Sequence, residues 1–106
     1  MKSKVQFTNE KVKKSIEKLE EMDKKFYNFV LRAFRDIEDN AFCGIQIPKN
    51  RIPKEYLKKF NIKNVWKYNL PGAWRLLYSI ESKQLIVISI ILEWVDHKTY
   101  ERRFKY

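Results

Sequence analysis

Lys67 and Arg75 are the residues of this sequence best suited to hold an anion. Each stands in a stretch where apolar and polar side chains alternate. In such a stretch neighbouring side chains point to opposite faces. Lys67 and Asn69 therefore share a face, and Arg75, Leu77 and Ser79 share one on the next stretch. Glu93 has the matching parity on a third, so Lys67, Asn69, Arg75 and Glu93 form a mixed sheet face that can serve as a binding cleft. His97, the sole histidine, follows the third stretch; with an ordinary pKa of ~6.5 it can take or give a proton near neutrality. Cys43 is the single cysteine, which leaves no internal disulfide and suits a reducing, cytoplasmic location. Nothing around it supports a nucleophilic role. One cysteine and one histidine provide no structural zinc site, and no metal or other cofactor is expected.

Charge narrows the class of ligand. The chain of 106 residues carries 23 Lys and Arg against 13 Asp and Glu, a net of +10. Residues 1–40 are close to balanced, and so are residues 81–106. Residues 41–80 hold eight basic side chains (Lys49, Arg51, Lys54, Lys58, Lys59, Lys63, Lys67 and Arg75) against Glu55 alone. A solvated helix face usually balances its signs. A segment this one-sided predicts a surface that attracts polyanions, nucleic acid first among them.

The elements that must position these residues follow from periodicity and punctuation. Lys4 to Thr8 alternates and reads as a short strand. Thr8 or Asn9 caps a helix with Glu10 in its first turn, and Val12, Ile16 and Leu19 recur at helical spacing. Asp23 caps a second helix whose inner face holds Phe26, Val30, Ala33 and Ile37. The expected helices are 10–21 and 24–39, with one long bent helix as the alternative. Gly44, Pro48 and Pro53 forbid a continuous helix beyond Asn40, although Lys54 to Phe60 has room for one or two turns. Val65 to Leu70, Trp74 to Ile80 and Gln84 to Trp94 then read as an antiparallel meander, with turns at Pro71-Gly72 and Ser82-Lys83. Parity gives one face Trp66, Tyr68, Leu70, Trp74, Leu76, Tyr78, Ile80, Ile86, Ile88, Ile90, Leu92 and Trp94, an apolar wall for the helical pair. The other face collects Val65, Lys67, Asn69, Arg75, Leu77, Ser79, Leu85, Val87, Ser89, Ile91 and Glu93. Asp96 caps a short final helix bearing Tyr100 and Phe104 on one side. The expected fold is a single two-layer α+β domain over 1–106: an N-terminal strand and helical pair on an antiparallel meander, closed by a short C-terminal helix. The longest apolar run, Leu85 to Leu92, is far short of the ~20 residues that span a bilayer. Met1-Lys2-Ser3-Lys4 has no apolar stretch behind it to make a signal peptide, and no membrane partner is expected.

This order of elements resembles the RelE/ParE superfamily of type II toxins. Leu70-Pro71-Gly72-Ala73-Trp74-Arg75-Leu76-Leu77-Tyr78 is similar to the family's stretch of leucine, small turn, aromatic, Arg, two apolar residues and Tyr. Asp96-His97-Lys98-Thr99-Tyr100 is similar to its basic and aromatic cluster after the last strand. The resemblance covers nearly the whole chain in order of elements, and those two stretches supply most of its specificity. For the RelE-like branch it implies a metal-independent endoribonuclease that cuts mRNA in the ribosomal A site and is neutralised by a cognate antitoxin. For the ParE-like branch it implies an inhibitor of DNA gyrase on the same fold.

The resemblance carries residue roles with it. Arg75 matches the arginine after the aromatic of the second meander strand, and Lys67 matches a basic position on the strand before. Two positions on, where another basic residue often stands, this chain has Asn69. Cleavage without a metal uses the RNA 2′-OH as nucleophile. Arg75 and Lys67 suit the crowded phosphorane, and His97 suits the acid or the base. Tyr100 suits stacking on a splayed base or proton transfer beside Lys67 and Lys98, or else packs the last helix. Glu93 is a reserve base or an ion-pair partner for Arg75 or Lys67. Lys54, Lys58, Lys59, Lys63, Asn69 and Lys98 are the expected RNA contacts. Partners would be mRNA, the ribosome, and an acidic antitoxin that adds a helix or a strand to the mixed face or the helical pair. A non-catalytic basic module that binds RNA or ribosomes is the remaining alternative, and Asn69 is its best support.

Overall fold

A computed structural model describes residues 1–83 and 86–104. Strand β1 (Lys4–Phe7) leads into helix α1 (Glu10–Met22). The Asn9 side chain caps that helix by accepting from the Val12 N–H at 2.9 Å. Asp23 ends α1 through its own N–H, which donates to the Leu19 carbonyl, and its side chain accepts from the Phe26 N–H to start α2 (Lys24–Asp39). One residue thus serves two helices, which makes a tight pair instead of one bent helix. Beyond Asn40 the chain forms a two-residue strand β2 (Ile45–Gln46), helix α3 (Lys54–Phe60), and then β3 (Trp66–Leu70), β4 (Trp74–Lys83), β5 (Ile86–Val95) and helix α4 (His97–Phe104). Strand β2 is not signalled by the sequence.

The five strands form one sheet in the order β1-β5-β4-β3-β2. The three long strands are the expected antiparallel meander, β2 adds antiparallel to β3, and β1 runs parallel to β5. The turn at Pro71–Ala73 puts Gly72 at φ 72° and Ala73 at φ 62°. Glycine takes that left-handed backbone freely, and Ala73 takes it at some strain. The turn expected at Ser82-Lys83 is not there: Ser82 pairs with Val87 and Lys83 with Ile86, so both belong to the ladder. Gln84 and Leu85, read as the start of the third strand, lie outside the described residues.

The helical pair covers one face of the sheet. Ile16, Leu19, Val30, Ala33, Phe34 and Ile37 pack on Leu70, Leu76, Tyr78 and Ile91, with Trp66, Trp74 and Trp94 at the margin. Face assignment by parity holds on β3 and β4 and at Glu93 and Trp94 of β5, and fails on the rest of β5. Leu77 pairs with Glu93 but Tyr78 pairs with Ile91, so Leu92 is the extra residue of a bulge. Relative to Glu93 and Trp94, such an insertion switches the side chains that precede it to the other face. Ile91 and Ser89 therefore join the helical side, where the Ser89 hydroxyl meets that of Ser3 at 2.9 Å. Leu92 and Ile90 pack on the opposite face. Ile88 and Ile86, paired with Glu81 and Lys83, follow them.

That opposite face is not the open cleft expected from parity. It seats a second cluster in which Ile47, Ile52, Tyr56, Ile62 and Val65 meet Leu77, Leu92, Val95, Tyr100 and Phe104. The basic, proline-punctuated segment and α4 thus hold each other against the sheet. Tyr56 and Phe104 make the junction edge to face at 5.2 Å. Among the described residues no helix is long and apolar enough to cross a membrane.

Candidate functional site

Four of the residues singled out in the sequence converge at the rim of this second cluster. Tyr100 is the floor. It is 2% exposed and stacks on Phe104 with centroids 5.1 Å apart. Their four-residue spacing on α4 puts both rings on the helix's inner side. The Lys67 Nζ lies 4.8 Å from the Tyr100 ring centroid and the Arg75 guanidinium carbon 5.8 Å from it. The electron-rich ring attracts both cations. Lys67 comes from β3 and Arg75 from β4, on the face that parity assigned them. The buried ring of Tyr100 is not presented for stacking on an RNA base; its contribution is to seat the two cations.

Arg75 is half-buried. Its Nη1 donates to the Trp74 carbonyl at 3.2 Å and its Nη2 lies 3.3 Å from His97 Nδ1. Its Nε is buried and makes no hydrogen bond among the described residues. A guanidinium has five N–H groups, so one N–H remains on each Nη. His97 opens α4 on the exposed surface. Its other ring nitrogen, Nε2, contacts the Glu101 carboxylate one helical turn on. Asp96 fixes that first turn by accepting from the Thr99 N–H at 2.8 Å. This bond and the Thr99 side chain hold the Asp96 carboxyl below the usual carboxylate range.

Glu93 does pair with a cation, though among the described residues its ion pair is with neither Arg75 nor Lys67. Its partner is Arg103 of α4. Burial, and then the nearby Glu93 carboxylate, push the Tyr56 phenol far above its ordinary value. Glu93 therefore ties β5 to α4, and is committed to that contact instead of facing Arg75. Asn69 is exposed and sits directly across the ladder from Arg75. Lys54, Lys58 and Lys59 project from α3, which packs on this same face through Tyr56. With Lys63 and Lys98 they are all exposed. Lys98 adjoins His97 in sequence, whereas Lys63 lies at the other end of β4, beside Glu81, Ser82 and Lys83.

Sequence reasoning missed Glu101 and Arg103. The signal for Glu101 was present, since His97 and Glu101 stand four apart in a helix and must be neighbours. Arg103 had no such signal, because its partner lies on another element. Among the described residues no three His, Cys, Asp or Glu side chains come together in a way that would hold a metal ion. The arrangement offers two cations for a phosphate, an imidazole that can move a proton, and a basic approach surface. No family model, curated protein or solved structure matches this chain.

Proposed function

We propose that this chain is the toxin of a toxin–antitoxin pair, a metal-independent endoribonuclease that cuts mRNA at the ribosome. The observation that carries this reading is the convergence of Lys67, Arg75 and His97 around one buried ring. Two cations held against the same ring repel each other, and a bound phosphate relieves that repulsion. A guanidinium can hold two phosphate oxygens at once, and Arg75 keeps one uncommitted N–H on each Nη. In the reaction the 2′-oxygen bonds to phosphorus as its proton passes to His97 Nδ1, whose bond from Arg75 Nη2 breaks as that N–H turns to the phosphate. The bond from phosphorus to the 5′-oxygen breaks, and that oxygen takes up a proton from water. The products are a 2′,3′-cyclic phosphate and a 5′-hydroxyl.

Asn69 supports a second reading, a basic module that binds RNA or ribosomes without cutting. Primer extension on a translated mRNA, with and without ribosomes, separates the two. Ribosome-dependent ends that vanish when the cut site carries a 2′-deoxy sugar fit the nuclease. Binding without new ends fits the module, and trapping of DNA gyrase with no RNA ends points instead to gyrase inhibition. Cleavage of the 2′-deoxy substrate would sink the mechanism.

A further inference from the structure

We propose that Glu101 is a positioning residue that fixes His97 as the Nε2–H tautomer and turns its Nδ1 lone pair toward Arg75. The tautomer follows from the contacts alone; its use as the base of cleavage rests on the function proposed above. A guanidinium has donors and no acceptor. The 3.3 Å contact between Arg75 Nη2 and His97 Nδ1 therefore requires Nδ1 to accept. A neutral imidazole that accepts at Nδ1 carries its proton at Nε2, the atom that meets the Glu101 carboxylate. The chain of donors runs in one direction, from Arg75 to His97 to Glu101.

The charged surroundings explain why a carboxylate is needed there. Arg75 faces His97 from β4, Lys67 lies beyond it against the Tyr100 ring, and Lys98 follows it in sequence. The positive end of the α4 dipole adds to these. None of them offers an acceptor for a ring proton. Of the two nearby carboxylates, Asp96 is engaged by the Thr99 N–H and Glu101 meets the ring. Glu101 thus sets which nitrogen holds the proton, as an orienting carboxylate does for a catalytic imidazole. Helix α4 as a whole is anchored by buried Tyr100 and Phe104 and by the pair of Arg103 with Glu93, so the backbone that carries His97 and Glu101 is held in place.

His97 is the only histidine, so long-range proton–nitrogen NMR on the labelled chain reads one imidazole without ambiguity. The neutral ring of the wild type should show the Nε2–H tautomer. In Arg75→Ala, where no guanidinium needs an acceptor at Nδ1, Glu101 should still hold that tautomer, and adding Glu101→Ala should give a mixture. Glu101→Gln should keep the tautomer, because the amide oxygen still accepts. A predominant Nδ1–H form in the wild type, or an unchanged tautomer when Glu101→Ala is added to Arg75→Ala, overturns the proposal. In single-turnover cleavage Glu101→Ala should slow the reaction and Glu101→Gln should restore it, because the amide oxygen still accepts from Nε2–H. A Glu101→Gln chain as slow as Glu101→Ala overturns the link to the base. A wild-type chain that cuts no RNA removes the nuclease reading and leaves the NMR result to decide the tautomer.

Discussion

Strand β4 places Arg75 and Leu76 side by side and sends them to opposite worlds. Leu76 and Tyr78 enter the cluster under the helical pair, and both are fully buried. Arg75 and Leu77 face α3 and α4. There the core is smaller, drawn partly from an irregular segment, and edged by Lys67, Arg75 and His97. The first face is built for stability, with helices that balance their charges. The second face uses burial to hold cations at fixed positions. Its aromatic floor, Tyr100, belongs at once to the core and to the site. A sheet with two covered faces can devote one to folding and lend the rim of the other to chemistry.

The largest test compares those two neighbours. Leu76→Ala leaves a cavity in a packed core and should cost about 2–5 kcal/mol in chemical denaturation. Arg75→Ala should instead spare most of the stability and slow RNA cleavage roughly a hundred- to thousand-fold, the effect of losing one donor to a developing oxyanion. Arg75→Lys should restore only part of that rate, since an ammonium cannot hold two oxygens at once. If Arg75→Ala unfolds the chain as readily as Leu76→Ala, the division between the faces is wrong.

Gly44→Ala probes the seam between them. Gly44 has an ordinary extended backbone at φ −81°, so the cost is steric alone. An added Cβ would lie 2.6 Å from the Lys67 carbonyl oxygen and 2.6 Å from the Tyr78 hydroxyl. That hydroxyl accepts from the Gly44 N–H at 3.1 Å and donates to the Ala41 carbonyl at 2.7 Å, so it cannot swing aside cheaply. Overpacking of this kind costs roughly 1–3 kcal/mol. Because β3 must shift at Lys67, cleavage should fall as well. Thermal denaturation beside a cleavage assay reads both, and a stable, fully active Gly44→Ala chain would show that the seam yields freely.

The helical-pair face was largely legible because its pattern is redundant: Val12, Ile16 and Leu19, then Val30, Ala33 and Ile37, repeat one helical stripe. The placement of Lys67 and Arg75 was legible for the same reason, since β3 and β4 alternate cleanly. Strand β5 gave no such anchor. From Leu85 to Leu92 every residue but Ser89 is apolar, so an inserted residue leaves no trace in the pattern and the bulge at Leu92 goes unseen. The second core was hidden for another reason. Ile47, Ile52, Tyr56, Ile62 and Val65 are spread over a segment broken by two prolines, and their spacing matches neither a helix nor a strand. What brings them together is the tertiary fit to α4, which no local period records.

A smaller effect concerns how the second face meets its ligand. Lys54, Lys58 and Lys59 project from α3 on the side of the sheet that holds Arg75. If they neutralise phosphates, binding to single-stranded RNA should weaken with salt at a log–log slope of about −0.7 per contact. Reversing all three charges should flatten that slope by roughly 2, with little change in stability. Fluorescence titrations across a salt series measure this directly. A slope that ignores the three reversals makes these lysines solvating groups and confines recognition to the Arg75 cluster.

The smallest effect belongs to the first face and to alkaline pH. The Tyr68 hydroxyl donates to Asp36 of α2 at 2.5 Å. Partial burial, and then this carboxylate, push its pKa up to about 12, against about 10 for an unfolded tyrosine. A raised value means that the native state keeps a proton which the unfolded chain releases. The contribution of Tyr68 is therefore complete below about pH 10 and is lost as the pH rises toward 12. Tyr78 on the same face is also raised, chiefly by burial, so the alkaline decline is shared. Tyr68→Phe should make the fall of stability between pH 10 and 12 shallower without abolishing it, and should leave cleavage near neutrality unchanged. Denaturation midpoints at half-unit pH intervals would resolve the difference. An identical decline in the variant would mean that the Tyr68–Asp36 bond does not persist in solution. A loss of cleavage at neutral pH would mean that the helical-pair face is not separate from the site.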